Sequence, residues 1–403
     1  MLCAPAGEIR VWTSRKGTNI EAEILKVEGK VAILVTKEAK EIKVKVEDLS
    51  LADRQYLVEY GGADKSILVG EDLGVPEKDV RIDTGSFKKL DKKMPLGDES
   101  ELVFDLLETE HFLVGYAGDV RPQGVAETAE RLWHGMAFQH MNFRRDWGGK
   151  RRLVLLVEDR DVYAMLGKWY GHVLANMGNA AAAERNAALW DQVGANSIYL
   201  DDKHQEEWNL HPLATVYNIK EDTGKRFKKD LSPFPTHVLA GHLLRQQMGG
   251  VSNFGSEGYF AVITGHAYYK EIQLADETET NLIDAAGSQF DEITKARGFD
   301  DGTSWAKTLR SMVRRGKLEP NFEAMMGWSQ NDLDPAKLVL IYSFSYFCES
   351  TPERLAGFAN LVRRVESSNQ IPEPIEFAKL MGFDTVEAMQ EAWVEFIKSP
   401  AFK

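Results

Sequence analysis

The first pattern in the chain is a short alternation of apolar and charged residues that predicts β-strands. Apolar residues occupy every second position in Ile20–Ile24, Val31–Val35 and Ile42–Val46. A period of two places one face of a strand on a core and the other in solvent. The pair Glu28-Gly29 separates two of these strands as a turn. Such short strands bury a core by curling, so residues 8–59 are predicted to form a small β-barrel.

Longer apolar runs begin after residue 101 and predict an α/β pattern. Phe112–Tyr116 and Ser197–Leu200 are typical of short strands. The continuous apolar run Leu153–Val157 predicts a strand that is buried on both faces. Apolar residues at the helical spacing over 125–140 predict a helix between the first two of these strands in the chain.

The chain beyond Pro235 has the periodicity of helices. In the last predicted helix, Asp384 and Glu387 have the spacing of a capping box. Val386, Met389, Trp393 and Phe396 then follow along one side of that helix. The C-terminal half is therefore predicted to be mainly helical.

Residues 60–100 lack a sustained period. They contain glycines, a proline and a lysine-rich stretch, which together predict a linker. The predicted fold is thus a multidomain α+β protein. A small SH3-like β-barrel over residues 8–59 precedes an α/β domain with a mainly helical C-terminal half over residues 101–403.

Charge and composition exclude several classes of function. The chain has 62 acidic and 49 basic residues, a net charge of −13, and no basic stripe, so nucleic acid is excluded as a partner. No apolar run reaches the ~20 residues that span a bilayer. Cys3 and Cys348 are too few for a disulfide framework or a thiolate metal site. His134 and His140 lie six residues apart, which is not a metal-ligand spacing.

The first residues indicate a location. Ala4-x-Ala6 has the small-x-small pattern that follows the apolar core of a signal peptide. Residues 1–7 are therefore predicted to be the remnant of such a peptide, which implies a secreted or periplasmic protein. The alternative is a genuine start at Met1, which implies a cytoplasmic protein.

Three motifs mark the N-terminal segment. They are Arg10-x-Trp12-Thr13, Gly29-x-Val31 and Leu49-Ser50-x-x-Asp53-x-x-Tyr56. They resemble the Sla homology domain of the first type, a family of SH3-like barrels that is a common N-terminal addition in bacterial proteins. The family usually has Asp where this chain has Ser14. Because the eukaryotic founding member reads Asn-Pro-Phe-type peptides, the resemblance implies peptide binding, with Trp12 as the candidate binding residue. A role of Trp12 in the core is the alternative.

A second set of motifs lies in residues 101–403. Thr109-Glu110-His111-Phe112 opens a predicted strand, Ser256-Glu257-Gly258 precedes a predicted helix, and Leu380-x-Gly382-Phe383-Asp384 precedes the last helix. Their order resembles the peptidase-MA-like gluzincins, which are secreted or periplasmic relatives of thermolysin. The resemblance implies a metallopeptidase-like fold in which Glu257 occupies the position of the third zinc ligand.

A gluzincin site needs two histidines at i and i+4 of one helix and a Glu between them as the general base. If His242 is the second histidine, the first position falls on Val238 and the Glu position on Leu239. His237 is five residues before His242, about 140° around a helix, so it substitutes only if the helix is distorted. The candidate metal ligands are therefore His242, Glu257 and His237, and no catalytic residue is predicted.

These observations favour a non-catalytic protein that binds a protein or peptide with a degenerate metallopeptidase-like domain. No cofactor is predicted, and zinc is the alternative. Two other functions remain open: an active zinc-dependent peptidase with unusual ligands, and a structural protein that self-associates through its barrel. The oligomeric state is left open by the sequence.

Overall fold

The structure is a computed structural model. It describes residues 9–14, 18–64, 67, 76–97, 102–139, 149–176, 178–179, 183, 186, 190, 194–219, 233–248, 259–276, 278, 302–329, 332–368 and 370–403. The predicted signal-peptide remnant over residues 1–7 and the candidate ligand Glu257 lie outside these residues. In the part of the chain that is described, no helix has both the length and the apolar character needed to cross a membrane.

The N-terminal unit is an antiparallel sheet of four strands in chain order. The predicted alternation holds in the second strand, where Ala22 is buried between charged neighbours. In the third strand the predicted core face is wrong, because Ala32 and Leu34 form the core instead of Val31, Ile33 and Val35. Both sets are apolar, so the period of two does not decide which face of this strand is buried. The strands are β1 (Arg10–Thr13), β2 (Asn19–Glu28), β3 (Val31–Thr36) and β4 (Glu41–Lys45).

The chain returns to β1 after the fourth strand. Leu49 forms an isolated antiparallel bridge with Ser14, and the Ser50 N–H donates to the Thr13 carbonyl at 2.9 Å. Ser50 then caps helix α1 (Leu51–Glu59) by accepting a hydrogen bond from the Asp53 N–H, as its motif predicts. Within the described residues these pairings do not close a barrel.

The larger unit is built on a mixed sheet of six strands in the order β5-β6-β7-β8-β10-β9. Its three central strands, β7, β8 and β10, are parallel, and the outer strands are antiparallel to their neighbours. The predicted strands at 112–116, 153–157 and 197–200 all occur. The strands are β5 (Lys88–Pro95), β6 (Val103–Glu108), β7 (Phe112–Ala117), β8 (Arg152–Val157), β9 (Ala195–Tyr199) and β10 (Leu213–Asn218).

Strand β5 lies in the segment 60–100 that the sequence pattern assigns to a linker. It pairs with β6 along an edge of the sheet and buries Met94, while its lysines face solvent. Charged residues on an edge strand obscure the period of two and also discourage pairing with other chains. The lysine-rich composition thus reflects an edge position in the sheet.

Helices cover both faces of this sheet. Strand β8 is buried throughout and contributes alternate residues to two cores, Val154 and Leu156 to one and Leu153 and Leu155 to the other. The helices are α2 (Pro76–Asp79), α3 (Pro122–Gln139), α4 (Arg160–Asn176), α5 (Asp202–Trp208), α6 (Pro233–Gln247), α7 (Tyr259–Ala275), α8 (Gly302–Arg314), α9 (Phe322–Met326), α10 (Pro335–Cys348), α11 (Pro352–Ser368), α12 (Pro374–Leu380) and α13 (Val386–Lys398).

The C-terminal half is mainly helical, as predicted, and its helices pack through aromatic side chains. Trp393 of α13 is fully buried, lies edge-on to Phe344, and donates its Nε1–H to the Ser343 hydroxyl at 3.1 Å. The predicted cap of α13 is wrong by one residue. Thr385, rather than Asp384, accepts the hydrogen bond from the Ala388 N–H, since α13 begins at Val386.

Candidate functional site

Helix α6 contains the candidate ligands His237 and His242 and lies between the six-stranded sheet and helix α7. Both of its sides are therefore covered, and most of its residues are buried. The Tyr217 hydroxyl of β10 donates to the Pro235 carbonyl at 3.1 Å and holds the first turn of the helix on the sheet. This position explains why most of the helix is buried, and it decides what each histidine contacts.

His242 faces the sheet and forms hydrogen bonds through both of its ring nitrogens. Nδ1 lies 2.9 Å from the Thr215 hydroxyl oxygen, and Nε2 lies 3.1 Å from the Ser197 hydroxyl oxygen. Arg152 Nη2 donates to the same Thr215 oxygen at 3.0 Å. A neutral imidazole donates to one of these hydroxyl oxygens and accepts from the other, while the Thr215 oxygen also accepts from the guanidinium.

The charge around His242 opposes a metal cation. Burial, followed by the positive charges of Arg152 and Arg245, lowers the pKa of His242 well below its usual value. Arg152 is fully buried, and no carboxylate of the described residues forms an ion pair with it. Burial lowers the pKa of Arg152 to about 9, which still leaves the guanidinium charged at neutral pH. A divalent cation on His242 would therefore be repelled by a buried positive charge.

The depressed pKa of His242 predicts a loss of stability in mild acid. The unfolded chain takes up a proton near pH 6.5, whereas the buried imidazole stays neutral. Below pH 6.5 this residue should therefore lower the free energy of unfolding by about 1.4 kcal/mol per pH unit, until the folded imidazole titrates. Urea unfolding at several pH values between 5 and 8 would measure this slope. His242→Gln keeps a hydrogen-bonding side chain and should flatten the slope, and an unchanged slope would contradict the prediction.

His237 faces helix α7. Its Nδ1 lies 2.9 Å from Glu271 Oε2, and its ring is edge-on to Tyr268 at 4.4 Å between centroids. Glu271 is fully buried, so the pair links α6 to α7 inside the core. His237 and His242 thus contact different elements, which agrees with their separation of about 140° around the helix.

The two decisive motif positions of the helix carry no general base. Leu239, at the position of the catalytic Glu, is fully buried in the core, and Val238 packs against the same core. Among the described residues, neither His237 nor His242 belongs to a group of three or more potential metal ligands. With Glu257 outside the described residues, a metal site of His242, Glu257 and His237 stays a prediction.

A second group of ionisable side chains lies in the core beyond His237. This buried ionic cluster consists of Glu77 of α2, His266 and Lys270 of α7, and Glu349 at the end of α10. Lys270 Nζ lies 2.8 Å from Glu77 Oε1 and 3.4 Å from Glu349 Oε2, and His266 Nδ1 lies 2.7 Å from Glu349 Oε1. All four side chains are completely buried. Burial lowers the pKa of Lys270, but the two carboxylates outweigh it and hold the pKa above its usual value.

The candidate peptide-binding residue Trp12 lies in the core of the N-terminal unit. Its side chain is fully buried, and its Nε1–H donates to the Ala22 carbonyl at 2.9 Å. The Tyr56 ring lies edge-on to the indole, and the Arg10 guanidinium lies 4.7 Å from its centroid. Peptide binding by Trp12 stays a prediction, and in this arrangement the indole surface is covered by the core.

Comparisons with protein-family models, curated proteins and solved structures find no match to this chain. The site therefore rests on its geometry. Sequence reasoning missed Arg152, Thr215 and Ser197, the polar partners of His242. The one available signal is that Arg152 directly precedes the apolar run Leu153–Val157 and opens the same buried strand, where a charged residue requires a specific polar contact.

Proposed function

We propose that this protein binds an extended polypeptide segment and does not catalyse a reaction at helix α6. The observation that carries the proposal is the edge of strand β1, where backbone groups and apolar side chains face outward together. The non-catalytic part is supported by His242, whose ring nitrogens contact hydroxyl groups beside the buried Arg152. The missing carboxylate at Leu239 supports the same conclusion.

Alternate residues of β1 direct their backbone N–H and C=O groups either toward β2 or away from it, and this alternation identifies the groups at the edge of the sheet. The Ser14 N–H donates to the Thr18 carbonyl, which makes the even-numbered residues of β1 the ones that bond to β2. Odd-numbered residues direct their N–H and C=O outward. Thr13 follows this rule, since its N–H donates to Asp53 Oδ2 at 2.8 Å. Val11 directs its own N–H and C=O to the same side, and neither has a hydrogen-bond partner within the described residues.

The side chains at this edge are apolar and exposed. Val11 is 46% exposed and Ile9 is 43% exposed. Such an edge accepts an added strand, because the backbone groups supply hydrogen bonds and alternate side chains supply contacts. The net charge of −13 favours a partner segment with basic residues. The occupant that fits is an extended segment in which apolar and basic residues alternate.

Selection of a random-peptide display library against the full chain tests this proposal. We expect enrichment of sequences that alternate apolar residues with Lys or Arg. Val11→Pro removes the outward N–H and leaves the bonds between β1 and β2 in place. This substitution should weaken the binding of a selected synthetic peptide by at least about 10-fold, or 1.4 kcal/mol, as measured by fluorescence anisotropy.

Ile375→Lys is the matched control for Val11→Lys, because Ile375 is 41% exposed and lies on α12. The control should bind the peptide as the unmodified chain does, whereas Val11→Lys should not. Equal binding by all variants would contradict the assignment to β1. A dimer that Val11→Lys dissociates would favour the structural, self-associating alternative. Cleavage of the peptide that stops on zinc removal would favour the peptidase alternative.

The finer family assignments belong to the same proposal. The bridge from Ser14 to Leu49 supports an SH3-like barrel of the Sla homology type for the N-terminal unit. In the second unit, helix α6 packs beside a sheet that has an antiparallel edge strand. This arrangement supports the assignment of that unit as degenerate and gluzincin-like. A secreted or periplasmic location is proposed with them and rests on the Ala4-x-Ala6 pattern alone. Fractionation of cells that express the full reading frame would test the location.

A further inference from the structure

A buried carboxylate fixes a histidine at the turn between β6 and β7. Glu130 of α3 is nearly inaccessible and accepts hydrogen bonds from three groups. The Thr109 hydroxyl donates at 2.6 Å and the His111 backbone N–H at 2.8 Å, both to Oε1, while His111 Nδ1 lies 2.6 Å from Oε2. This network determines the rotamer of His111.

The network also determines which ring nitrogen is available. Glu130 Oε1 accepts hydrogen bonds from the Thr109 hydroxyl and from the His111 backbone N–H. Because the carboxylate acts as an acceptor toward these groups, we assign the proton of the third contact to His111 Nδ1, which donates to Oε2. In the neutral imidazole the lone pair then lies on Nε2. A carboxylate that orients a histidine in this way is the usual second partner of a metal-bound histidine.

The ring of His111 is further held by an aromatic neighbour. Trp133 stacks on it with 3.4 Å between ring centroids and 13° between ring planes. Stacking occupies the face of the imidazole and leaves its edge, with Nε2, open to a ligand in the ring plane. His134, the next residue of α3, lies edge-on to His111 with 5.5 Å between ring centroids.

Two further donor groups converge on this edge. Glu110 Oε1 lies 3.6 Å from His111 Nε2. One ligand atom each from Glu110, His111 and His134 lies within 4.8 Å of the other two. Ligands at 2.0–2.2 Å from a tetrahedral zinc ion lie roughly 3.4 Å apart. The Glu110 side chain is 70% exposed and is free to close the remaining gap.

We propose that Glu110, His111 and His134 form a binding site for a divalent transition metal of the zinc class, with Glu130 as the positioning residue for His111. Two imidazoles and one carboxylate form a three-ligand set that suits zinc and leaves the fourth position to water. The charges of Glu110 and Glu130 together balance a divalent cation. This site is separate from helix α6 and does not depend on the proposed polypeptide binding.

Zinc binding by the tag-free full chain, freed of metal with a chelator, tests the proposal. Equilibrium dialysis with zinc chloride should give one zinc per chain. Glu110→Gln, at an exposed side chain that cannot disturb the core, should weaken binding at least about 10-fold. His134→Gln should weaken it further, because a neutral imidazole ligand is lost.

Glu130→Gln tests the positioning role. It keeps a polar side chain beside His111 but removes the charge that fixes Nδ1 as the donor. We expect zinc affinity to fall by about 10- to 100-fold. Cobalt substituted for zinc adds a spectroscopic readout, since the visible bands of tetrahedral cobalt should weaken in this variant. A purely structural role would leave the cobalt spectrum unchanged.

His172→Gln is the matched control, because His172 is an exposed histidine of α4 away from the site. It should bind zinc as the unmodified chain does. Zinc should also raise the melting temperature of the unmodified chain and the control but not of His134→Gln. No saturable binding up to about 1 mM zinc would overturn the proposal. Binding that survives Glu110→Gln and His134→Gln but is lost on His242→Ala would overturn it in favour of helix α6.

Discussion

Lys270→Met is expected to lower the free energy of unfolding by about 3–5 kcal/mol. The substitution removes the ammonium group that contacts the carboxylates of both Glu77 and Glu349, each of which is completely buried. Methionine fills a similar volume, so the loss arises from the uncompensated charges and leaves little cavity. Urea denaturation at neutral pH, where Lys270 is charged, measures the effect.

A neighbouring lysine provides the control. Lys78 is 43% exposed at its side chain and lies 3.6 Å from the exposed Asp276. Lys78→Met should change the free energy of unfolding by less than about 0.5 kcal/mol. Adding Glu77→Gln to Lys270→Met should restore part of the stability, because one buried charge is removed. A loss as small as that of Lys78→Met would show that the cluster does not hold α2 on the core.

Trp12→Ala should lower the free energy of unfolding of the N-terminal unit by about 3–5 kcal/mol. Trp12 is fully buried and is the largest side chain in a small core, so its removal leaves a cavity that the short strands cannot refill. A unit of about 50 residues has little stability to lose. We expect this unit to melt separately and peptide binding to disappear with it, as followed by limited proteolysis and urea unfolding.

Trp12→Phe separates packing from hydrogen bonding. It keeps most of the aromatic contact with Tyr56 but removes the hydrogen bond to the Ala22 carbonyl. The expected loss is about 1–2 kcal/mol. If Trp12 instead bound peptide directly, Trp12→Ala would abolish binding with less than about 0.5 kcal/mol change in stability. That outcome would move the binding site from the edge of β1 to the indole.

The fold was largely predictable, whereas the site was not. The strands around Val31, Phe112 and Leu153 follow from local alternation or from short apolar runs. Strand β5 was missed because its edge position requires few apolar residues. The lysine-rich composition of Lys88–Pro95 is typical both of an edge strand and of a linker, so it does not distinguish the two.

The polar partners of the candidate residues could not be predicted. His237 and His242 are separated by a known angle on a helix, but the elements that they face depend on how α6 packs. His242 contacts Ser197 and Thr215 because the helix crosses the sheet at that point. His237 contacts Glu271 because α7 lies on the other side.

By itself the sequence determined the strands around Phe112 and Leu153, the last helix, and the absence of the Glu that a gluzincin requires. These properties depend on residues that are close in the sequence, so local periodicity and motif spacing predict them. Only the tertiary structure decided that His111 and His134 converge. Helix α3 runs back along β7, and this packing brings together two histidines that lie far apart in the chain. Distant groups meet through packing of whole elements, for which local sequence carries no signal.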